Sequence, residues 1–312
     1  MMLEAVLPQL RTRLRDAFAA CAAMALGCAA ALCHAQGTEA PTPPVQIVKV
    51  PLKGAGTFGS ALDLSTEVFK PAGPGPFPVL VYAHGRSGTQ QERSALVEVV
   101  PRQFLGFWIA RGFAVVAPAR PGYGQTGGSD RENPGHRWDG KGNCSGVPNV
   151  ERVAATAAPA ILAAVAWSRD QPWANGAKIV VAGNSVGGLV TSALAAVNPP
   201  GVVATINFAG GIAGHPDQAP GRSCAPETVR DAFAVYGKTA RLPSLWLYAP
   251  NDKFWGPEVP RQWHAAHVAS GGTAEFVQTA PVPNADGHDL IFVGRDLWEP
   301  VVAPFLKRVG LE

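Results

Sequence analysis

Lys178-Ile179-Val180-Val181-Ala182-Gly183-Asn184-Ser185-Val186-Gly187-Gly188 carries three signals in succession. Its unbroken apolar run predicts a strand covered on both faces. Gly183 to Gly187 then fits the pattern G-x-S-x-G, and from Val186 to Val197 the apolar residues recur at helical spacing. A strand, a glycine-flanked serine and a helix together predict a sharp turn that lifts the serine hydroxyl out of the chain. The glycines are needed because a side chain on either flank would run into neighbouring backbone. A serine held in so strained a turn is a candidate nucleophile, whereas an ordinary turn would use the same residue only as a helix N-cap.

Outward from this turn, runs rich in Val, Ile and aromatic residues predict strands at 45–52, 66–70, 79–83, 113–117, 178–182, 202–208, 245–249 and 274–279. Helical spacing appears between them, at 92–111, 150–169, 186–197, 258–270 and 295–308. The alternation predicts an α/β domain with a mostly parallel eight-stranded sheet, helices on both faces and active groups at the carboxyl ends of the strands. Two long stretches interrupt it. Residues 121–150 are polar and Gly-rich, and residues 210–241 hold a short helical pattern at 227–238, read as a small cap insertion. Both follow strands and are expected to overhang the catalytic edge.

Composition narrows the class. The 312 residues are 47% hydrophobic and 16% charged, and the formal net charge of +3 is spread without a run of Lys or Arg. Nucleic acid is therefore not an expected partner. Arg11, Arg13 and Arg15 precede an uncharged, Ala-rich run over 17–32, followed by Cys33-His34-Ala35. That is the architecture of an export signal, with cleavage expected after Ala35, and the run is too short for a stable membrane span. The destination is then the periplasm or the medium. Ala25-Leu26-Gly27-Cys28 offers lipidation at Cys28 as a second reading, with its hydrophobic residue one place off the usual pattern. Residues 36–44 read as a Pro-rich linker, and 45–312 as the folded domain.

A serine nucleophile needs a base and a group to orient that base. Asp252 follows the strand at 245–249, and His288 lies in Gly287-His288-Asp289 ahead of the final helix, so both fall at the edge where Ser185 emerges. Among the other histidines, His136 and His215 lie in the long loops. His264 and His267 stand three apart without the Glu of a zinc protease motif and read as surface-helix residues. No metal is expected. Asp286 and Asp289 are too near His288 in sequence to be preferred as the acid and read as turn residues. Two backbone N–H groups are candidates for the oxyanion hole: Val186, at the start of its helix, and Arg86, in the loop His84-Gly85-Arg86-Ser87-Gly88.

With these motifs in order and spacing, the chain resembles the α/β-hydrolase superfamily over essentially all of the length after Ala35. Within that superfamily it is similar to dienelactone-hydrolase-like and prolyl-oligopeptidase-like proteins, helped by Arg120-Pro121-Gly122-Tyr123-Gly124, which resembles their R-G-x-G-x-S loop. Dienelactone hydrolases proper carry Cys where this chain has Ser185, so their specific reaction is not implied. The resemblance and the residues together imply an exported serine hydrolase acting on small carboxylic esters through a Ser185-Asp252-His288 triad, with no cofactor. A peptidase of the same fold, or an inactive binding protein, are the alternatives. Tyr123, Trp138, Phe254 and Trp255 flank the catalytic loops as candidate substrate contacts. Cys144 and Cys224 alone remain after Ala35, one in each long loop, and are expected to form a disulfide.

Overall fold

A computed structural model describes residues 43–56 and 59–312. The segment expected to direct export, with Cys28 and Ala35, and most of the expected linker lie outside these residues. Numbered along the chain, the strands are β1 (Gln46–Leu52), β2 (Leu62–Phe69), β3 (Phe77–Ala83), β4 (Ala114–Pro118), β5 (Arg137–Trp138), β6 (Cys144–Ser145), β7 (Ala174–Asn184), β8 (Val202–Phe208), β9 (Gly214–His215), β10 (Ala219–Ser223), β11 (Ser244–Tyr248) and β12 (Ala274–Gln278). Eight of them form one sheet in the order β1-β2-β4-β3-β7-β8-β11-β12. The pairs β1-β2 and β2-β4 are antiparallel, and every later neighbour is parallel. The fold is the α/β-hydrolase fold.

The helices are α1 (Gln90–Ser94), α2 (Arg102–Ala110), α3 (Val150–Arg169), α4 (Val186–Val197), α5 (Pro226–Gly237), α6 (Val259–Ala269), α7 (Leu290–Val293) and α8 (Arg295–Arg308). Alternation along each central strand divides the core between two layers. Leu80, Tyr82, Val180, Ala182, Leu245 and Leu247 face Phe104 and Trp108 of α2 and Trp298 and Phe305 of α8. Val79, Val81, Ile179, Val181, Trp246 and Tyr248 face Val153 and Ile161 of α3, Leu189 of α4, Phe233 of α5 and Trp263 of α6. Both faces of β3 from Val79 and of β7 from Ile179 are thus dry, which is why Val79 to Ala83 and Ile179 to Ala182 are continuously apolar.

Three sequence expectations need correction. The helix expected at 92–111 is two helices, because Pro101 caps the start of α2 without an N–H to give and the amides of Val99 and Val100 turn instead to the buried carboxylate of Glu67, at 3.1 and 3.3 Å. His267 is not at the surface: it is 1% exposed, its ring lies 5.1 Å from that of Trp246 and its Nδ1 bonds the carbonyl of Phe233 at 3.1 Å. Helix α5 covers it. Residues 226–237 of the insertion thus pack as helix α5 against α6, and no residue of 210–241 lines the cavity that holds Ser185, so the expected cap over the catalytic edge is not formed there.

The two long loops are joined as expected. Cys144 of β6 and Cys224 are disulfide-bonded with their Cα atoms 5.7 Å apart and 80 positions apart in sequence. Arg222 Nη2 also donates to the Gly142 carbonyl at 2.8 Å.

Candidate active site

Ser185 sits between β7 and α4 with φ 54° and ψ −124°, a conformation that few residues tolerate. The surrounding packing imposes it. A Cβ on Gly183 would lie 2.5 Å from the carbonyl of Gly187, so the strand and the helix meet too closely for any side chain there. The backbone of Ser185 is pinned on both sides: its N–H donates to the Phe208 carbonyl at 3.0 Å, and its carbonyl accepts from Leu189 at 3.0 Å and from Gly211 at 3.2 Å. The hydroxyl is left at the amino end of α4, where the helix dipole favours negative charge.

Asp252 and His288 come together from two turns 36 residues apart in sequence, with Asp252 Oδ2 3.0 Å from His288 Nδ1. Asp252 is 2% exposed, and its other oxygen, Oδ1, accepts the amides of Phe254 at 2.7 Å and Trp255 at 3.1 Å. A buried carboxylate so held presents one oxygen in a fixed direction, which selects the imidazole tautomer protonated at Nδ1 and leaves Nε2 free to take a proton. Phe254 stacks on the His288 ring, with centroids 4.0 Å apart and planes at 27°, and restricts its rotation.

Ser185 and His288 line one cavity of about 250 Å³. Its walls include His84, Gly85 and Arg86 from the loop after β3, Leu96 and Val99 from the α1-α2 connection, and Tyr123, Phe254 and Phe292. The loop after β3 approaches the nucleophile closely, since a Cβ on Gly85 would lie 3.4 Å from Ser185 Cβ. Burial, and then the Arg120 guanidinium beside it, hold His84 well below the ordinary histidine range, so its ring is neutral. Of the four candidate substrate contacts, Tyr123 and Phe254 reach the cavity. Trp255 is not among its walls: it is 2% exposed, and its indole N–H donates to the Ala209 carbonyl at 2.8 Å, which places it behind His288 in the core. Trp138 packs instead beside Cys144 against the α3-α4 layer.

Sequence reasoning passed over three groups. Glu132, in a polar loop with nothing to mark it, is 1% exposed and pairs with the fully buried Arg120 at 2.6 Å. Glu67 shapes the cavity wall through Val99 and Val100. Asp286, read as a turn residue, does cap its turn, with Oδ1 accepting from His288 N at 3.0 Å, but the same oxygen also accepts from Lys253 N at 2.8 Å. Nothing in the sequence marks Glu67 or Glu132. The spacing Asp286-Gly287-His288 was the available signal for the third.

The comparisons with known proteins fit this architecture. Residues 60–232 match the profile of the X-Pro dipeptidyl-peptidase family (S15), a span that contains Ser185 but ends before Asp252 and His288. No curated protein sequence matches the chain. Among solved structures, a Pyrococcus furiosus esterase aligns with a TM-score of 0.55 at 14% identity, over 86% of this chain and 96% of its own. The acylaminoacyl peptidase of Pyrococcus horikoshii aligns with a TM-score of 0.57 at 15% identity, over 86% of this chain and 42% of its own. Thermogutta terrifontis esterase 2, phosphonylated by cyclosarin, aligns with a TM-score of 0.54 at 15% identity, over 87% of this chain and 96% of its own. Identities this low carry the fold and no more. The profile match covers more than half of the chain, and it is on this ground that the protein belongs to the X-Pro dipeptidyl-peptidase family S15.

Proposed function

We propose that the protein is an exported serine hydrolase that cleaves small carboxylic esters through an acyl-enzyme. The observation that carries this reading is the Asp252-His288 hydrogen bond at the wall of the cavity that also exposes Ser185 at its strained turn. Ser185 Oγ attacks the ester carbonyl while His288 Nε2 takes the hydroxyl proton, and Asp252 stabilises the imidazolium that results. The carbonyl oxygen, now negative, is held by the N–H groups of Val186 and Arg86. Collapse expels the alcohol with the proton from His288, and water repeats the sequence to release the acid. Leu96, Val99, Phe254 and Phe292 give the cavity apolar walls, and its volume of about 250 Å³ suits a short acyl chain. Export is supported by the residues before Ala35 and is compatible with the Cys144-Cys224 bridge.

The family match favours a second reading, a peptidase cleaving after an X-Pro dipeptide. The same triad serves both reactions. Turnover of p-nitrophenyl esters of graded acyl length, set beside X-Pro p-nitroanilides, separates them. Ester hydrolysis with short acyl groups preferred and the anilides left intact is the expected result; faster cleavage of the anilides would establish the peptidase instead.

A further inference from the structure

Arg120 has no exposed surface, yet its guanidinium makes four polar contacts. Nε and Nη2 donate to Glu132 Oε1 and Oε2 at 2.6 and 2.9 Å. Nη1 donates to the His84 carbonyl at 2.6 Å and Nη2 to the Gly85 carbonyl at 3.2 Å. Its backbone N–H donates to His84 Nε2 at 3.1 Å, so the ring proton of His84 resides on Nδ1, which donates to the Gly85 carbonyl at 2.7 Å.

The Gly85 carbonyl thus accepts from two donors, one of them cationic. That carbonyl and the N–H of Arg86 belong to one planar peptide unit and point in opposite directions. Fixing the oxygen fixes the N–H, and drawing electron density toward the oxygen makes the N–H a stronger donor. Among the described residues this N–H has no backbone acceptor, while Gly85 and Arg86 line the cavity that exposes Ser185. A buried ion pair is a weak source of stability, because desolvation offsets its attraction. Here its charge is spent on two consecutive carbonyls behind the nucleophile.

We infer that Arg120, held by Glu132, is a positioning residue for oxyanion stabilisation: it orients and polarises the Gly85-Arg86 peptide so that the Arg86 N–H meets the oxygen that becomes negative when Ser185 attacks. The inference rests on the serine acyl-transfer reading above.

The test compares wild type with Arg120→Met, checked for folding by circular dichroism and thermal melting. It measures p-nitrophenyl acetate turnover and inhibition by an aryl trifluoromethyl ketone, whose serine hemiketal carries the oxyanion. Removing an oxyanion donor outright costs about 10²- to 10³-fold in kcat, so misdirecting one is expected to lower kcat by roughly 10- to 100-fold. KM should stay within about twofold, and the inhibition constant should rise by the same factor as kcat falls. A clamp with a purely structural role would lower Tm without that parallel loss. Should the Met variant fail to fold, Arg120→Lys keeps the buried charge but not the fork that spans two carbonyls, and it should show the same pattern at smaller amplitude. Unchanged kcat and ketone affinity in a folded Arg120 variant, beside an active wild type, would overturn the inference and leave the serine reading standing. An inactive wild type without a Ser185 adduct would overturn both.

Discussion

Asp286 Oδ1 accepts the backbone N–H of Lys253 at 2.8 Å, binding the turn that carries His288 to the turn that carries Asp252. The same oxygen accepts from His288 N at 3.0 Å, and Asn251 closes the clasp by donating from Nδ2 to the carbonyls of Val282 and Ala285, at 3.0 and 3.1 Å. Gly287 fits between the turns only because it lacks a side chain, since a Cβ there would lie 2.7 Å from the carbonyl carbon of Asn251. The 3.0 Å separation of Asp252 and His288 is thus set by neighbours that are themselves fixed.

Asp286→Ala removes the acceptor for both backbone N–H groups and lets the two turns part. Hydrogen bonds to charged groups contribute about 1.5 to 3 kcal/mol each, less where the bond is open to solvent as at Lys253, and a displacement near 1 Å at the reacting groups costs up to about 10²-fold in rate. The variant is expected to fold with a lower Tm and a kcat reduced at least tenfold, while Asp286→Asn, which keeps an acceptor oxygen, recovers most of both. Steady-state kinetics of the two variants check this. An Ala variant with wild-type kcat would show that the clasp does not hold the pair.

Phe254 both walls the cavity and stacks on His288. Phe254→Ala frees the imidazole and enlarges the acyl space. With p-nitrophenyl esters of graded length, the preferred acyl chain should lengthen and kcat for acetate should fall by roughly tenfold, in line with loss of a positioning contact. An unchanged chain-length profile contradicts the assignment of this ring to the acyl wall.

His84 and His267 are both held below 6.5, their ordinary value, by burial as the larger cause. As pH falls through 6.5 the unfolded chain takes up protons that the native ring refuses. The stability from these groups is therefore complete above about pH 6.5 and is lost on acidification, at up to about 1.4 kcal/mol per pH unit for each. Thermal melts from pH 7 to pH 5 should show Tm falling in wild type and falling less steeply in His267→Gln, which keeps a donor for the Phe233 carbonyl. Equal slopes in the two proteins would show that His267 does not contribute to the acid sensitivity.

The fold was legible in the sequence wherever local pattern and tertiary role coincide. The run Ile179 to Ala182 is apolar because β7 is covered on both faces, and Gly183 to Gly187 is readable because the turn around Ser185 leaves no room for side chains. Asp252 and His288 could be chosen because chain order and position after a strand restrict the candidates. The pairing of Cys144 with Cys224 followed from there being no other cysteines after Ala35. What could not be read depends on contacts distant in sequence. His267 looks like a surface-helix residue until α5 is laid over it. Glu132 sits in a polar loop and Glu67 in a strand, and neither carries any local sign that it will accept from Arg120 or from the Val99 and Val100 amides. Trp255 follows Phe254, yet adjacent residues point in different directions, and only the ring of Phe254 reaches the cavity.

Covalent labelling decides whether Ser185 is the nucleophile. A fluorophosphonate traps an activated serine through a bond from Oγ to phosphorus with loss of fluoride, and peptide mass spectrometry locates the adduct. A single adduct on the peptide containing Ser185 is expected in the folded wild type. No adduct and no ester turnover are expected in Ser185→Ala, whose melting curve should match the wild type. An unlabelled, folded wild-type protein, or a Ser185→Ala variant that retains wild-type turnover, would contradict the assignment of Ser185 as nucleophile.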